Sequence, residues 1–370
     1  MKKLILPLLF LTIFRLNAQE THSHGRAINF PNVPGYLSLK CDLHQHTVFS
    51  DGEVWPTIRV QEALKDSLDV ISLTEHLEYQ PHKADIPHPD RNRSHDIAVK
   101  EADGNLLVVR GSEITRSMPP GHCNAIFIND ANKLLNDDPM VVFREAKNQG
   151  AFVFWNHPNW TAQAQDGVAR LSEMHKKLID EKLLHGIEVV NDVTYSAEAL
   201  QIALDNNLTI MGTSDIHGLI DWGHNVAGGG HRPITIVFAT EKTEAAVKDG
   251  LVNRRTVVWY NNNLIGREAQ ILPLLNACMT VKKAEYQGKT SVVTVTIENH
   301  SDAEFILSSF GEYTFHANDD VVMVAPNGIT EVQVKTLEKL PSFDLKFTVL
   351  NAITAPRTHP EITLKVAVGD

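Results

Sequence analysis

Asp42-Leu43-His44-Gln45-His46-Thr47-Val48-Phe49-Ser50-Asp51-Gly52 is the stretch on which the fold and the chemistry of this chain turn. It follows a short segment, Gly35 to Cys41, with the character of a strand start, and in a strand residues two apart point to the same side. His44 and His46 therefore share a face. Two imidazoles at a strand end, with the carboxylate of Asp51 in the turn beyond, begin a divalent metal site, but three groups do not complete one. The remaining ligands must come from elsewhere in the chain.

From Leu37 to about Trp259 short apolar strands alternate with helical stretches. Candidate strands are Leu39–Leu43, Val70–Thr74, Leu106–Ser112, Cys123–Ile128, Ala151–Asn156, Gly186–Val190, Thr209–Thr213 and Ile234–Ala239. Helical spacing is read over Pro56–Leu68, Met140–Gln149, Arg170–Leu184, Ser196–Asn206 and Thr243–Leu251. Such alternation predicts a parallel sheet with helices outside, doubly wound or closed into a barrel. Most of the strands carry His, Asp or Glu at or just past their ends, as a site on the C-terminal rim of a barrel requires. After Leu264 a short helical piece, Ile265–Ala277, leads into six strand-like runs between Ser291 and Val368, separated by turns such as Asn318-Asp319-Asp320 and Pro326-Asn327-Gly328. They predict a small antiparallel β-sandwich, a packing or binding module without clustered acids, bases or ligands.

Strand by strand, the polar positions of the first part are His44 and His46, Glu75 and His76, Glu113, His122, His157, Glu188, and Asp215 with His217. The last pair repeats the two-apart spacing of the first. A lone histidine at a strand end is ordinarily a hydrogen-bonded structural residue. A series of ionisable groups at successive strand ends is not explained that way, because crowding them in a confined site without cations is costly. Divalent metal ions remove the difficulty.

Together, Asp-Leu-His-Gln-His-Thr with Ser-Asp-Gly, Thr74-Glu75-His76, the isolated Glu113, Asn156-His157-Pro158 and Ser214-Asp215-Ile216-His217 resemble the successive motifs of the PHP (polymerase and histidinol phosphatase) domain over about residues 36–260. The resemblance implies a distorted (β/α)7 barrel, two or three divalent ions of zinc, manganese or iron, and hydrolysis of phosphate esters. Carried over by position, it gives one metal His44, His46, Glu113 and Asp215, and a second Asp51, His76 and His217. A third takes His122 and His157, with Glu113 bridging. It makes Asp215, His217 and Glu113 the catalytic set. Glu75 stands where the second motif usually has Asp, a supporting position, and Glu188 reads as supporting or structural. Water activated by the metals would be the nucleophile, since Ser50 lies in no Gly-x-Ser-x-Gly elbow.

The domain plan is then a signal peptide (1–18), an N-terminal lead (19–35), the α/β barrel (36–264) and the sandwich (265–370). Lys2 and Lys3 precede the apolar run Leu4–Phe14, and Ala18 offers a cleavage point before Gln19; the run is short for a membrane span. A soluble periplasmic or secreted protein is expected, without stable membrane insertion after cleavage. The net charge of −11 gives no general attraction for nucleic acid or anionic membranes. Three cysteines, Cys41, Cys123 and Cys278, are too few for a disulfide framework and read as core thiols.

An anionic substrate must therefore be held locally. The segment Gln80–His95, with Arg91 and Arg93, reads as a phosphate clamp or as a solvated loop whose cations pair with Asp85, Asp90 and Asp96. The loop Trp222–Pro233, with Gly228-Gly229-Gly230, reads as a mobile lid or a flexible linker, with Arg232 as its substrate contact. The leading reading is an exported phosphoesterase acting on a small phosphomonoester. A phosphodiesterase or exonuclease on nucleotides, and a non-catalytic carbohydrate-binding protein, are the alternatives. The oligomeric state is not legible in the sequence.

Overall fold

Strands buried on both faces and helices opened by capping residues build the first part of the chain in the computed structural model, which describes residues 27–369. The expected signal peptide and residues 19–26 of the lead lie outside the described residues. In chain order the elements are β1 (Leu37–Gln45), α1 (Pro56–Lys65), β2 (Val70–Leu73), α2 (Arg93–Ala102), β3 (Leu107–Ile114), β4 (Cys123–Ile126), α3 (Pro139–Asn148), β5 (Phe152–Trp155), α4 (Glu173–Asp180) and β6 (Gly186–Asn191). There follow β7 (Thr194–Tyr195), α5 (Ala197–Asp205), β8 (Thr209–Thr213), α6 (Ile220–Gly223), β9 (Ile234–Ala239), α7 (Glu244–Val252), β10 (Thr256–Tyr260), β11 (Asn263–Gly266) and α8 (Glu268–Cys278). β2, β5 and β8 are buried at every residue, as strands covered on both sides must be. Helices start where the sequence supplies caps: Asp138 before Pro139, Ser172, Ser196 and Thr243 each accept a backbone N–H of the first turn.

The sheet runs β11-β10-β9-β1-β2-β3-β4-β5-β6, with β7 and β8 both on β6. It is mixed, where an all-parallel sheet was expected. β1, β2 and β3 pair in parallel, as do β5, β6 and β8, but β4 is antiparallel to β3 and β5, and β9 to β1 and β10. The reason at β4 is connection length: residues 115–122 are too few for a parallel crossover, which takes about a dozen or more. The sheet curls until the end of β8 reaches that of β1. There Gln45 and Ile216 form a parallel bridge, His46 N–H donates to Ile216 O (3.1 Å) and Asp215 N–H to His44 O (2.9 Å). Several details differ from the sequence reading, among them these. Helix α2 occupies ground read partly as loop, α4 ends at Asp180 rather than Leu184, and β10, β11 and the strand beginning at Met279 were not anticipated.

The C-terminal part consists of β12 (Met279–Tyr286), β13 (Val292–Asn299), β14 (Phe305–Ser309), β15 (Thr314–Phe315), β16 (Val321–Val324), β17 (Ile329–Lys335), β18 (Ser342–Val349), β19 (Ala352–Ile353) and β20 (Glu361–Ala367). Two four-stranded sheets, β12-β13-β17-β15 and β16-β14-β18-β20, face each other. Alternate residues of β18 and β20 are buried, the pattern of a strand with one dry face. β19 leaves the sandwich to pair in parallel with β11, Leu264 opposite Ala352, so the last domain extends the sheet of the first. One apolar core runs through both, from Val60 and Ile71 to Phe305 and Phe347. Cys41, Cys123 and Cys278 are free and buried, and burial pushes their thiol pKa values up. Among the described residues no helix is long and apolar enough to cross a membrane.

Candidate metal centre

The two-residue period at the end of β1 does what strand geometry requires: His44 and His46 send their Nε2 atoms to one point, 3.0 Å apart. Asp215 meets them from beyond β8, its Oδ1 3.0 Å from His44 Nε2 and 3.1 Å from His46 Nε2. Glu113, near the end of β3, reaches the same point, 3.7 Å from each histidine. Its carboxylate also meets His76 Nδ1 (2.5 Å), His122 Nδ1 (3.1 Å) and His157 Nε2 (3.5 Å). Asp51, in the turn after β1, lies 3.3 Å from His76 Nε2 and 3.2 Å from His217 Nε2. That turn needs Gly52, because a Cβ there would stand 2.6 Å from the backbone of His46 and Thr47.

Every residue expected as a metal ligand is thus brought to one place. Ligand atoms converge within 4.8 Å of one another in three overlapping groups: His44, His46 and Glu113; His46, Asp51, His76 and His217; and His76, Glu113 and His122. The overlap at His46 and His76 departs from the division carried over by resemblance, and His157 approaches through Glu113.

Neighbouring side chains aim these ligands. Glu188 accepts from His44 Nδ1 (2.8 Å), which turns Nε2 inward, and from His157 N–H (2.7 Å), Asn191 Nδ2 (2.8 Å) and Thr213 Oγ1 (2.6 Å). Asn156 Nδ2 donates to Glu113 (2.8 Å), and His217 Nδ1 donates to Asp215 O (2.8 Å). Glu75 ties down the Asp51 turn, accepting from Thr47 N–H (3.1 Å), Thr47 Oγ1 and Ser50 Oγ. His157 and Asp215 have φ of 29° and 48°, and Asp192 at the mouth 50°, all with left-handed backbone.

The electrostatics are those of a cluster short of positive charge. Burial works to raise the carboxyl pKa values of Glu113 and Asp215, yet the imidazoles around them hold both well below the usual range. Burial opposes protonation of His76, but Glu113 and Asp51 hold its pKa up at about 10. His44 likewise keeps a proton against burial because of Asp215 and Glu188, whereas burial takes His46 down to about 3.

Above the cluster opens a cavity of about 310 Å³, whose walls beyond the ligands are Trp160, Asn191, Asp192 and Thr194. Sequence reasoning passed over these four. Trp160 follows the Asn156-His157-Pro158 motif by two residues, which was the available signal; Asn191 to Thr194 carry no spacing that marks them.

A solved structure from Bacteroides vulgatus, a two-domain protein containing a predicted PHP-like metal-dependent phosphoesterase, is 41% identical to this chain, with 92% of this chain and 98% of that one covered and a TM-score of 0.86. The chain belongs to the PHP-like metal-dependent phosphoesterases. These are hydrolases, and the curled α/β sheet with an appended all-β domain is the architecture of the two-domain relative. A family profile described as an Ig-like domain matches residues 279–365, the sandwich. Two more distant structures also match this PHP-like chain. One is a candidate metal-dependent phosphoesterase of Bifidobacterium adolescentis, 16% identical over 50% of this chain and 90% of that one, TM-score 0.40. The other is PsfC of Pseudomonas syringae, 15% identical over 60% and 92%, TM-score 0.42. No curated protein sequence matches.

The arginines expected to hold substrate are not at the mouth of this PHP-like site. Arg232 is 1% exposed, bound to Asp42 Oδ2 (3.1 Å) and Asp66 Oδ2 (2.7 Å), and lines a separate cavity between the glycine loop and the sandwich. Arg91 spends its guanidinium on the carbonyls of Leu77 (3.0 Å) and His88 (3.3 Å), and Arg93 is exposed in the first turn of α2. A basic residue in sequence is not a basic wall in space. Main-chain carbonyls and buried aspartates claimed two of the three.

Proposed function

We propose that this chain is an exported hydrolase of small phosphomonoesters, working at a site of two or three divalent cations. The observation that carries the reading is the convergence of His44, His46, Glu113 and Asp215 with no Lys or Arg among them. The residues fit such ions: Asp51 Oδ1, Glu113 Oε2, Asp215 Oδ1 and His157 Nδ1 are buried atoms without a hydrogen-bond partner, and mixed imidazole and carboxylate donors suit zinc, manganese or iron. Bound there, the cations would neutralise charge on phosphoryl oxygens and make a water acidic enough to act as nucleophile near neutral pH.

The chain's own residues do the rest. Glu188 fixes the His44 tautomer, and Glu75 fixes the turn that carries Asp51. Asn191 Nδ2 donates to both Glu188 (2.8 Å) and Asp215 Oδ2 (3.2 Å), so it orients the carboxylate that joins His44 and His46. His217 is the ligand imidazole most open to solvent, at 38% of its side chain, and Asp215 O holds its Nδ1. With Nδ1 so held, Nε2 is the atom left to bind an ion, and we assign His217 to catalysis beside Asp215 and Glu113 through the ions they would hold, with solvent at the open mouth supplying the proton for the departing alcohol. The seven strands β1 to β6 and β8, joined at Gln45 and Ile216, support reading the curled sheet as the distorted (β/α)7 barrel. The basic start and apolar run of residues 2–14 support export. The acid walls disfavour a polynucleotide substrate.

The test is metal content by elemental analysis, with hydrolysis of a phosphomonoester and a phosphodiester before and after chelation. Two or three ions per chain and monoester turnover that chelation abolishes are expected. A protein loaded with ions and inert toward both esters would refute the reading.

A further inference from the structure

Among the described residues no Lys or Arg lines the cavity over the metal ligands, so beyond the cluster itself these residues offer nothing to a second anion. What it offers is one aromatic face, Trp160, and three polar side chains, Asn191, Asp192 and Thr194. Trp160 is 46% exposed, yet its ring touches two of the ligand imidazoles, with centroids 5.2 Å from His157 and 5.7 Å from His122. Tyr79, 52% exposed, stands beside a third, 5.8 Å from His76, and His76 is 5.4 Å from His122. A continuous row of rings therefore runs from Tyr79 through His76 and His122 to Trp160. Two more exposed aromatics, Trp55 (42%) and Trp222 (82%), follow β1 and β8 as Tyr79 and Trp160 follow β2 and β5, while Trp155 and Trp259 are buried. Single exposed aromatics need no explanation, but in the first domain they gather on the segments that leave the strands toward the ligands, which marks a binding rim.

We propose, on the phosphoesterase reading above, that the alcohol released is an uncharged hydroxylated ring, lying against Trp160 with Tyr79 beside it, and that the substrate carries a single phosphate. Such a ring has an apolar face that packs on an indole and a border of hydroxyls that hydrogen-bond to Asn191, Asp192 and Thr194. A second phosphate would lie in a cavity that already holds the carboxylate of Asp192, with no cation to receive it. A sugar and a nucleoside share this chemistry.

The experiment uses the metal-loaded full chain with glucose monophosphate, adenosine monophosphate, glycerol phosphate and a hexose bisphosphate. At least one ring monoester should exceed both glycerol phosphate and the bisphosphate in kcat/KM by about tenfold. The better of the two identifies sugar or nucleobase. Trp160→Ala should remove that preference mainly through KM, Trp160→Phe should keep most of it, and Asp192→Asn should narrow the gap to the bisphosphate. Independently of turnover, the indole N–H resonance of Trp160, assigned by its loss in Trp160→Phe, should shift with the preferred ring ester and not with glycerol phosphate. Hydrolysis of all four esters alike, or a preference unchanged in Trp160→Ala, overturns the ring site and leaves the phosphoesterase reading standing. An indole shift on a protein that cleaves no ester upholds the ring site and overturns that reading.

Discussion

Two buried ionic clusters hang from β1 within four residues of each other, and they have opposite character. At Asp42 the books are closed: its carboxylate takes Ser214 N–H (3.1 Å), Ser214 Oγ (2.6 Å) and Arg232 (3.1 Å), and the same guanidinium holds Asp66. At His44 and His46 carboxylates face imidazoles across distances suited to an ion between them, and buried oxygens of Asp51, Glu113 and Asp215 have no hydrogen-bond partner. The first cluster joins β1 to the loop before β9. The second keeps lone pairs in reserve. Burial alone therefore does not separate a structural charge from a functional one; what separates them is whether the protein itself supplies the counter-charge.

The largest effect that would break this contrast is catalytic. Asp215→Ala should lower turnover by about a thousandfold or more and reduce bound metal, since it removes the carboxylate shared by His44 and His46. Elemental analysis with steady-state kinetics checks it, and turnover near the parent's would put the reaction elsewhere. Arg232→Ala should act on the other axis, costing about 3–5 kcal/mol in urea denaturation because Asp42 and Asp66 are left buried without their cation. Its KM per folded molecule should stay close to the parent's; a raised KM with unchanged stability would return Arg232 to the role of substrate contact.

The smallest effect is in the pH dependence of the chelated protein. His76, its pKa held up at about 10, contributes stability that is complete below the ordinary value of 6.5 and is lost as the pH rises through about 10. The depressed carboxyls of Glu113 and Asp215 contribute in the other direction, fully above the ordinary carboxylate range and less as the pH falls. Stability should therefore decline on both sides, on the alkaline side as the pH rises from 6.5 through about 10 and on the acid side as it falls through the carboxylate range. A profile flat to pH 10 would mean that the imidazoles at the centre are neutral and that the two clusters are less different than their geometry makes them.

Much of the centre was legible because a strand's two-residue period is local. His44 and His46, Glu113 near the end of β3, and the positions just past β5 and β8, could be marked as candidate ligands without knowing how the strands pair. Glu188 was legible only as a supporting group, since its place on β6 does not say that it faces His44 Nδ1. The all-parallel sheet failed at β4 on connection length, and Arg91 and Arg232 failed because a guanidinium's partner is chosen in space. Asp42 and Asp66 precede Arg232 by 190 and 166 residues.

By itself, then, the sequence determined the alternation of strand and helix, the apolar alternation of the sandwich and the set of candidate metal-binding side chains, because each is written in short-range periodicity and residue chemistry. The tertiary structure alone decided which charges are matched within the protein and which are left for ions, that β19 ties the sandwich to the first sheet, and that the mouth of the site is aromatic and acidic rather than basic. Those outcomes depend on contacts between residues far apart in the chain, for which no local pattern of residues carries a signal.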